Sequence, residues 1–242
     1  MAPRLAESPA TCPVCKGFGL LESEDGRKLV PCRCREGVER DARRQAVRIP
    51  ERYRNCTLTN YRPQEPSQER AKAAARRFVT DYPAVDLGLL FVGPVGVGKT
   101  HLAAAVLAEL VDTLGVRSVF CDFTDLLSRI QATFSRSSEE SEDDVLHIYR
   151  ESDLLVLDEL GARRPTDWAR DVLYGLLNTR YNRKRLTILT TNYGDTPEKP
   201  GGETLEQRVG VPVRSRLAEM CRLVEIGGKD FRREARLGER LS

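Results

Sequence analysis

The sequence predicts an α/β protein with a five-stranded parallel sheet covered by helices on both faces, preceded by a small metal-binding module. Two observations predict the sheet: short apolar runs alternate with longer amphipathic segments, and a glycine-rich loop lies between the first strand and the first core helix. The module is predicted by four cysteines that cluster near the N-terminus. We expect three regions: a zinc-binding module at 1–35, an arginine-rich helical connector at 36–81 and the α/β core at 82–242.

Five apolar runs are predicted as the strands of the core sheet, because each is short and bounded by polar or turn-forming residues. They are Gly88–Val92, Arg117–Phe123, Leu154–Leu157, Leu186–Thr191 and Leu223–Ile226. Strands that alternate with helices form βαβ units, and these place the strands parallel in one sheet.

Helices are predicted between the strands and ahead of them. Thr100–Leu114 and Thr166–Tyr181 repeat apolar residues with the 3.6-residue period of a helix that buries one face. A helix at about Ser67–Asp81 and a short one near Glu36–Val47 precede the core. The polar segment Ser137–Asp144, with five acids and no base, is interpreted as a solvated loop.

Composition and charge exclude several classes of protein. Hydrophobic residues make up 40% and charged residues 31%, which excludes collagen-like, mucin-like and wholly disordered chains. Apolar stretches such as Leu87–Gly98 fall far short of the roughly 20 residues of a membrane helix. Met1–Ala10 lacks the apolar stretch of a secretory signal. With seven cysteines and no export signal, we expect reduced thiols, a cytoplasmic location and no membrane association.

A glycine-rich loop follows the first predicted strand and fits the pattern G-x-x-x-x-G-K-[ST]. Its residues are Gly93, Pro94, Val95, Gly96, Val97, Gly98, Lys99 and Thr100. The glycines let backbone N–H groups surround phosphate oxygens, Lys99 adds a positive charge, and Thr100 offers a hydroxyl to Mg²⁺. His101 follows directly and is expected to line the same site without a chemical role. The loop therefore predicts binding of ATP with Mg²⁺.

Polar side chains follow two later strands. Asp158 and Glu159 come directly after Leu154–Leu157, and beside a phosphate-binding loop they acquire distinct roles. Asp158 would hold Mg²⁺ through its water shell, and Glu159 would polarise the water that attacks the γ-phosphate. Asn192 directly follows the strand Leu186–Thr191, where it either forms a turn or positions that water. The pattern predicts ATP hydrolysis.

The cysteine cluster has the spacing C-x₂-C-x₁₆-C-x-C, formed by Cys12, Cys15, Cys32 and Cys34. Turn-forming residues between the two pairs, including Gly17 and Gly19, favour a small hairpin. Four thiolates on two turns complete a tetrahedral Zn²⁺ site that would stabilise a segment too small for its own core. The second pair is closer than zinc pairs usually are, so coincidental thiols stay the alternative, with Cys56 as a distant substitute ligand.

The remaining cysteines and the arginine-rich segment have simpler interpretations. Cys121 and Cys221 lie in or beside predicted strands and are expected to be buried thiols of the core. Arg33–Arg54 holds eight arginines against four acids. It either contacts phosphates of single-stranded DNA or an acidic partner surface, or is a solvated helix.

Three stretches of the chain resemble AAA+ ATPases of the DnaC/DnaI helicase-loader and IstB transposition-helper group. They lie within about Tyr82–Arg232 and read GPVGVGKTHLAAAV, LLVLDELGARRPTDWARDVLYGLLNTRYNRKRLTILTTNY and RVGVPVRSRLAEMCRLVEIGGKDFR. Ile49–Tyr61 resembles the segment that precedes the ATPase core of that group. The resemblance implies a P-loop AAA+ core of the ASCE type, arranged as a three-layer sandwich.

The resemblance also implies roles for single residues. Asn192 matches sensor 1, and Arg216 matches the box VII arginine that enters the nucleotide site of a neighbouring subunit, with Arg214 as the substitute candidate. The 14 residues after Gly228 are too few for the usual helical lid, which leaves the role of Arg232 open. We expect a core without a full lid, whose ATP turnover depends on assembly or on a partner.

The function implied is that of a helicase loader in DNA replication, in which Mg²⁺-dependent ATP hydrolysis times release of a replicative helicase on single-stranded DNA. Cysteine sets near the N-terminus occur in DnaI-like loaders, which favours this function. The implied partners are the helicase, single-stranded DNA and further copies of the chain, alone or assembled on the helicase. Two alternatives stay open: an IstB-like transposition helper, and a nucleotide-gated module that binds single-stranded DNA with little hydrolysis.

Overall fold

The structure is a computed structural model that describes residues 12–23, 28–135, 139–163, 166–197 and 199–233, without the side chains of 36–41. The chain forms two compact units, Met1–Val47 and Arg48–Ser242. The division between them falls inside the range expected to be the connector, and the scheme of three regions stays a prediction. Within the described ranges, no helix has the length and apolar character needed to cross a bilayer.

The first unit contains a hairpin and one helix. Strands β1 (Leu20–Glu22) and β2 (Leu29–Pro31) pair antiparallel, as the turn-forming residues predict. Helix α1 (Arg33–Ala46) begins three residues before the predicted start at Glu36. The reason is that Cys32, in extended backbone conformation, is the N-cap of this helix. The second cysteine pair therefore lies at a helix N-terminus, and its predicted position on a turn is wrong.

The second unit is built on a parallel sheet of five strands, as predicted. The strands are β3 (Gly88–Val92), β4 (Ser118–Asp122), β5 (Leu154–Leu160), β6 (Leu186–Thr191) and β7 (Cys221–Glu225). Their order in the sheet is β4-β5-β6-β3-β7, and every neighbouring pair is parallel. All five residues of β3 are buried, so side chains pointing to either face of the sheet are covered. This burial is typical of a sheet between two helical layers.

Seven α-helices of five residues or more accompany the sheet in the described part of this unit, besides a short 3-10 helix at Glu51–Tyr53. They are α2 (Pro66–Asp81), α3 (Lys99–Leu114), α4 (Phe123–Ala132), α5 (Glu142–Glu151), α6 (Asp167–Asn182), α7 (Leu205–Val209) and α8 (Val211–Met220). The predicted helices α2, α3 and α6 are confirmed to within one residue at each end. After β7, the described residues end at Arg233 with one helical turn over 231–233 and contain no lid of several helices.

The prediction of a solvated loop at Ser137–Asp144 is wrong for its second half. Residues 137 and 138 lie outside the described residues, but Ser141 is the N-cap of α5. Its side chain accepts a hydrogen bond from the Asp144 N–H, and the Asp144 carboxylate accepts one from the Ser141 N–H. Acids in the first turn of a helix are also favoured by the helix dipole. The acidic run therefore starts a helix.

Candidate nucleotide-binding site

A cleft of about 610 Å³ lies where β3, β5 and β6 end. The carboxyl ends of parallel strands meet at one edge of a sheet, which is where ligands bind in open α/β folds. The cleft brings together Lys99, Thr100 and His101 of the glycine-rich loop and α3 with Glu159 and Asn192. Side chains from widely separated parts of the sequence therefore line one cavity, as the strand-end pattern predicts.

The glycine-rich loop joins β3 to α3, and Gly98 is the N-cap of that helix. Gly98 has φ +95°, and a Cβ added there would come within 2.5 Å of the Tyr61 ring. The Lys99 side chain is 7% exposed, and its ammonium donates to the carbonyl oxygens of Gly93 at 2.8 Å and Pro94 at 2.7 Å. A lysine held at a helix N-terminus inside a glycine loop fits the phosphates of a nucleotide.

Asp158 lies in β5 beside the loop and is 4% exposed. Its Oδ1 accepts hydrogen bonds from the hydroxyls of Thr100 at 2.9 Å and Thr190 at 2.5 Å. Burial raises the pKa of Asp158 to about 6, against the opposing effect of these two hydrogen bonds. A buried carboxylate beside a threonine hydroxyl is a donor set of hard oxygens, so it fits Mg²⁺.

Glu159 follows Asp158 but differs from it in environment. Its side chain is exposed to the cleft. Its φ is +57°, a conformation that residues other than glycine seldom adopt. Asp158 is therefore buried, whereas Glu159 faces the cleft. The prediction that the strand ends at Leu157 is wrong, because β5 continues to Leu160.

Residues 52–64, which precede α2, contribute one wall of the cleft. The Tyr61 hydroxyl donates to the Val97 carbonyl oxygen at 3.0 Å, and His101 Nε2 lies 3.0 Å from the Thr57 carbonyl oxygen. The His101 and Tyr61 rings meet edge to face at 5.3 Å between centroids. Burial lowers the pKa of His101, the backbone contact to Thr57 opposing it. Lys72 Nζ adds a 2.7 Å hydrogen bond to the Tyr61 carbonyl oxygen.

The segment after β7 forms another part of the wall. The Phe231 N–H donates to the Gly96 carbonyl oxygen at 3.2 Å, which ties this segment to the phosphate loop. Arg232 Nη2 donates to the Tyr53 hydroxyl at 3.2 Å, so the two parts of the wall are in contact. Arg232, whose role the sequence left open, therefore lines the nucleotide cleft together with Cys56.

The four predicted zinc ligands come together in the first unit. The Sγ atoms of Cys12, Cys15, Cys32 and Cys34 all lie within 4.8 Å of one another. Cys15 and Cys34 are 3.4 Å apart, and Cys12 and Cys32 are 3.9 Å apart. Zn–S bonds of about 2.3 Å in a tetrahedron separate sulfurs by roughly 3.8 Å, so the cluster fits Zn²⁺. Among the described residues this is the one such group, and Cys56 is not part of it.

A family model described as "IstB-like ATP binding protein" matches residues 34–238 of the chain. The chain belongs to the IstB-like ATP-binding protein family. The match begins at the fourth cysteine and includes the glycine-rich loop, β5 with its two acids, and the segment that carries Phe231 and Arg232.

Proteins named replicative helicase loader DnaC are similar to this family member. The one from Escherichia coli K12 is 32% identical over 140 residues, which is 58% of this chain and 56% of the loader. The one from Buchnera aphidicola (subspecies Schizaphis graminum) is 30% identical over 144 residues, 60% of this chain and 58% of the loader. The chain thus spans somewhat over half the length of these curated relatives.

A solved structure of the DnaC helicase loader has the same core. It is 36% identical, covers 73% of this chain and 99% of its own, and superposes with a TM-score of 0.64. This likeness confirms the predicted P-loop AAA+ fold for the IstB-like core.

The two box VII candidates of this family member differ in their surroundings. Arg214 is paired with Asp195 through two hydrogen bonds of 2.6 and 2.5 Å, from Nε and Nη2. The Arg216 guanidinium instead lies over the ring of Tyr174 at 4.5 Å and near that of Tyr181 at 5.8 Å. Neither arginine lines the cleft of its own chain.

Three aromatic residues of the cleft, Tyr53, Tyr61 and Phe231, were not predicted from the sequence. Tyr53 and Tyr61 precede the loop by more than thirty residues, and Phe231 follows it by more than a hundred. The signal for the first two was the resemblance of Ile49–Tyr61 to the segment ahead of the ATPase core. Phe231 likewise lies in the third stretch that resembles the loader group, but its contact to Gly96 is made through the backbone and leaves no side-chain pattern in the sequence.

Cys121 and Cys221 are buried thiols of the core, as their positions in or beside predicted strands indicated. Cys121 is 4% and Cys221 6% exposed, and burial raises the pKa of each to about 12. Both are therefore protonated at neutral pH and inert as nucleophiles or metal ligands.

Proposed function

We propose that this chain hydrolyses ATP and uses the reaction to load a replicative helicase during DNA replication. The observation that carries the proposal is the meeting of the phosphate loop, Glu159 and Asn192 in one cleft, with Asp158 buried beside it and hydrogen-bonded to Thr100 of the loop. The names of the DnaC relatives support the choice of partner. In this account the nucleotide state of the cleft decides whether the helicase is held or released.

The roles of the cleft residues follow from their chemistry. Backbone N–H groups of the loop and Lys99 bind the phosphates, and Thr100 with Asp158 holds Mg²⁺. When it is bound, the ion would neutralise negative charge on the phosphates. Glu159 accepts a proton from the attacking water, and Asn192 orients that water by hydrogen bonding. His101 supports the wall through Tyr61 and takes no part in the chemistry.

Arg216 completes the site of a neighbouring copy in this proposal. An arginine that stabilises transition-state charge in trans accelerates such reactions by about 10³–10⁵. Arg214 is less suited, because its ion pair with Asp195 would have to break before it could reach a neighbour. ATP turnover should therefore depend on assembly, with other copies or on the helicase.

The cysteine module is proposed to bind zinc and to carry the partner-binding surface together with α1. Cys32 is the N-cap of α1 and Cys34 lies in its first turn, where the helix dipole favours thiolates. Arg43 and Arg44 are exposed in its last turn. They suit phosphates of single-stranded DNA or an acidic surface of the helicase, and a merely solvated helix is the alternative.

The partner is tested with Glu159→Gln loaded with ATP and Mg²⁺, a form expected to hold its partner without release. Capture of the cognate replicative helicase, lost when Lys99→Ala removes nucleotide binding, is the expected result. A second function, that of an IstB-like transposition helper, is favoured by the match to the IstB-like family model. Stable capture of a transposase and no helicase, under the same conditions, would replace the loader with that function.

Neutralising Arg40, Arg43 and Arg44 together separates the two interpretations of α1. Weaker binding to helicase or single-stranded DNA, with unchanged thermal unfolding, supports the interface. Unchanged affinity for both at low salt leaves α1 as a solvated helix.

A further inference from the structure

The strand that carries the two acids has an irregularity at that point. Leu157 pairs with Leu189 and Leu160 with Thr191, so β5 advances three residues while β6 advances two. Asp158 and Glu159 occupy the interval with the extra residue, which is a β-bulge. The ordinary backbone ladder between β5 and β6 is interrupted there, and the N–H of Glu159 needs another partner.

The side chain of Thr190 provides that partner. Thr190 lies in β6 and is 1% exposed. Its Oγ1 accepts a 3.0 Å hydrogen bond from the backbone N–H of Glu159. The same oxygen lies 2.5 Å from Asp158 Oδ1 and donates to it.

The direction of both hydrogen bonds is fixed by chemistry. A backbone N–H can only donate, so the Thr190 oxygen is the acceptor toward Glu159. A hydroxyl has one proton, and this proton is then available to the Asp158 carboxylate alone. One buried hydroxyl thereby contacts both the Asp158 carboxylate and the backbone N–H of Glu159, a residue with φ +57° whose carbonyl oxygen accepts from the Ala162 N–H at 3.1 Å.

We propose that Thr190 is a positioning residue for ATP hydrolysis, holding the metal-binding carboxylate and the general base in register through the bulge. The inference rests on the proposed function, because it takes Asp158 and Glu159 to have the roles given above. Thr100 also bonds Asp158, but it is proposed to face the cation, whereas the Thr190 hydroxyl bonds the Glu159 N–H as well and so joins the two acids.

The test compares variants of the full chain in steady-state ATP hydrolysis. Thr190→Val keeps the shape and removes the hydroxyl, and should lower kcat at least about tenfold with KM for ATP within about threefold. The Mg²⁺ concentration for half-maximal rate should rise several-fold. Thr190→Ser restores the hydroxyl and should recover kcat to within about threefold of the unmodified chain.

Thr191→Val is the matched control. It removes a buried hydroxyl from the same strand, one that donates to the Leu160 carbonyl oxygen at 2.8 Å and accepts from the Tyr193 N–H at 3.2 Å, and neither of these hydrogen bonds involves Asp158 or Glu159. We expect a comparable loss of thermal stability and little change in kcat. If Thr190→Val does not fold, Thr190→Ser and Thr190→Ala are compared instead. These two smaller side chains differ from each other only in the hydroxyl.

Two outcomes overturn the inference: a Thr190→Val kcat equal to that of the unmodified chain, or a Thr190→Ser kcat as low as that of Thr190→Val. Glu159→Gln, assayed in parallel, distinguishes failure of the inference from failure of the proposed function. Full turnover by Glu159→Gln would remove the proposed function itself. An inactive Glu159→Gln beside a normal Thr190→Val would remove the role of Thr190 alone.

Discussion

The Tyr61 hydroxyl donates a hydrogen bond to the carbonyl oxygen of Val97, inside the phosphate-binding loop. Tyr61 precedes the core sheet by a whole helix, so this contact ties the segment ahead of α2 to the loop that faces the nucleotide. Burial raises the pKa of Tyr61 to about 12, so the phenol stays protonated and able to donate. The nucleotide site is therefore shaped by residues on both sides of the loop in sequence.

Removing this hydroxyl should weaken nucleotide binding. Tyr61→Phe leaves the Val97 carbonyl oxygen without its donor, at a cost of about 1 kcal/mol or roughly fivefold in affinity. Fluorescent ATP-analogue titration measures the change. Tyr82→Phe, which alters a tyrosine outside the cleft, should leave the affinity unchanged. Equal affinities for the Tyr61 variant and the unmodified chain would mean that the loop keeps its shape without this contact.

Gly98→Ala should abolish tight nucleotide binding. The added Cβ would lie 2.5 Å from the Tyr61 ring on a residue with φ +95°, so the loop or the wall has to move. Gly175→Ala is the matched control, because a Cβ there meets nothing within 4 Å and the site is inside α6. It should stabilise the fold by about 0.5–1 kcal/mol with normal nucleotide binding. Normal nucleotide affinity in the Gly98→Ala variant would contradict the expected clash between the added Cβ and the Tyr61 ring.

The cysteine cluster should hold one zinc ion per chain. Cys32→Ser is expected to lose the metal, measured by atomic absorption on chelator-treated and reconstituted protein, since three thiolates bind more weakly than four. Cys56→Ser removes a thiol outside the cluster and should keep full zinc content. A Cys56 variant that loses zinc, or a Cys32 variant that keeps it, would reassign the ligand set.

Arg216→Ala should lose the part of ATP turnover that rises with protein concentration, while nucleotide affinity stays the same. Because the arginine is proposed to act on a neighbour, an equimolar mixture with Glu159→Gln should regain turnover above either variant alone. Arg214→Ala provides the comparison at the substitute candidate. Loss of turnover in the Arg214 variant with a normal Arg216 variant would exchange their roles.

Local patterns predicted most of the fold and the centre of the site. The loop, the acids after a strand and the 3.6-residue periods of α3 and α6 are each encoded within about twenty neighbouring residues. The bulge at Glu159 was not predictable, since it depends on register between β5 and β6. The start of α5 was missed because its acidic first turn looks solvated, although Ser141 and Asp144 cap it. Tyr61 and Phe231 reach the loop only through tertiary contacts.

The most direct test of the account is ATP hydrolysis by Glu159→Gln against the unmodified chain, with nucleotide binding measured on the same samples. Removing the general base should lower kcat by about 10²-fold or more while the affinity for ATP stays within a few-fold. That result places the chemistry in this cleft. Hydrolysis by the Glu159→Gln chain at the unmodified rate would contradict the account.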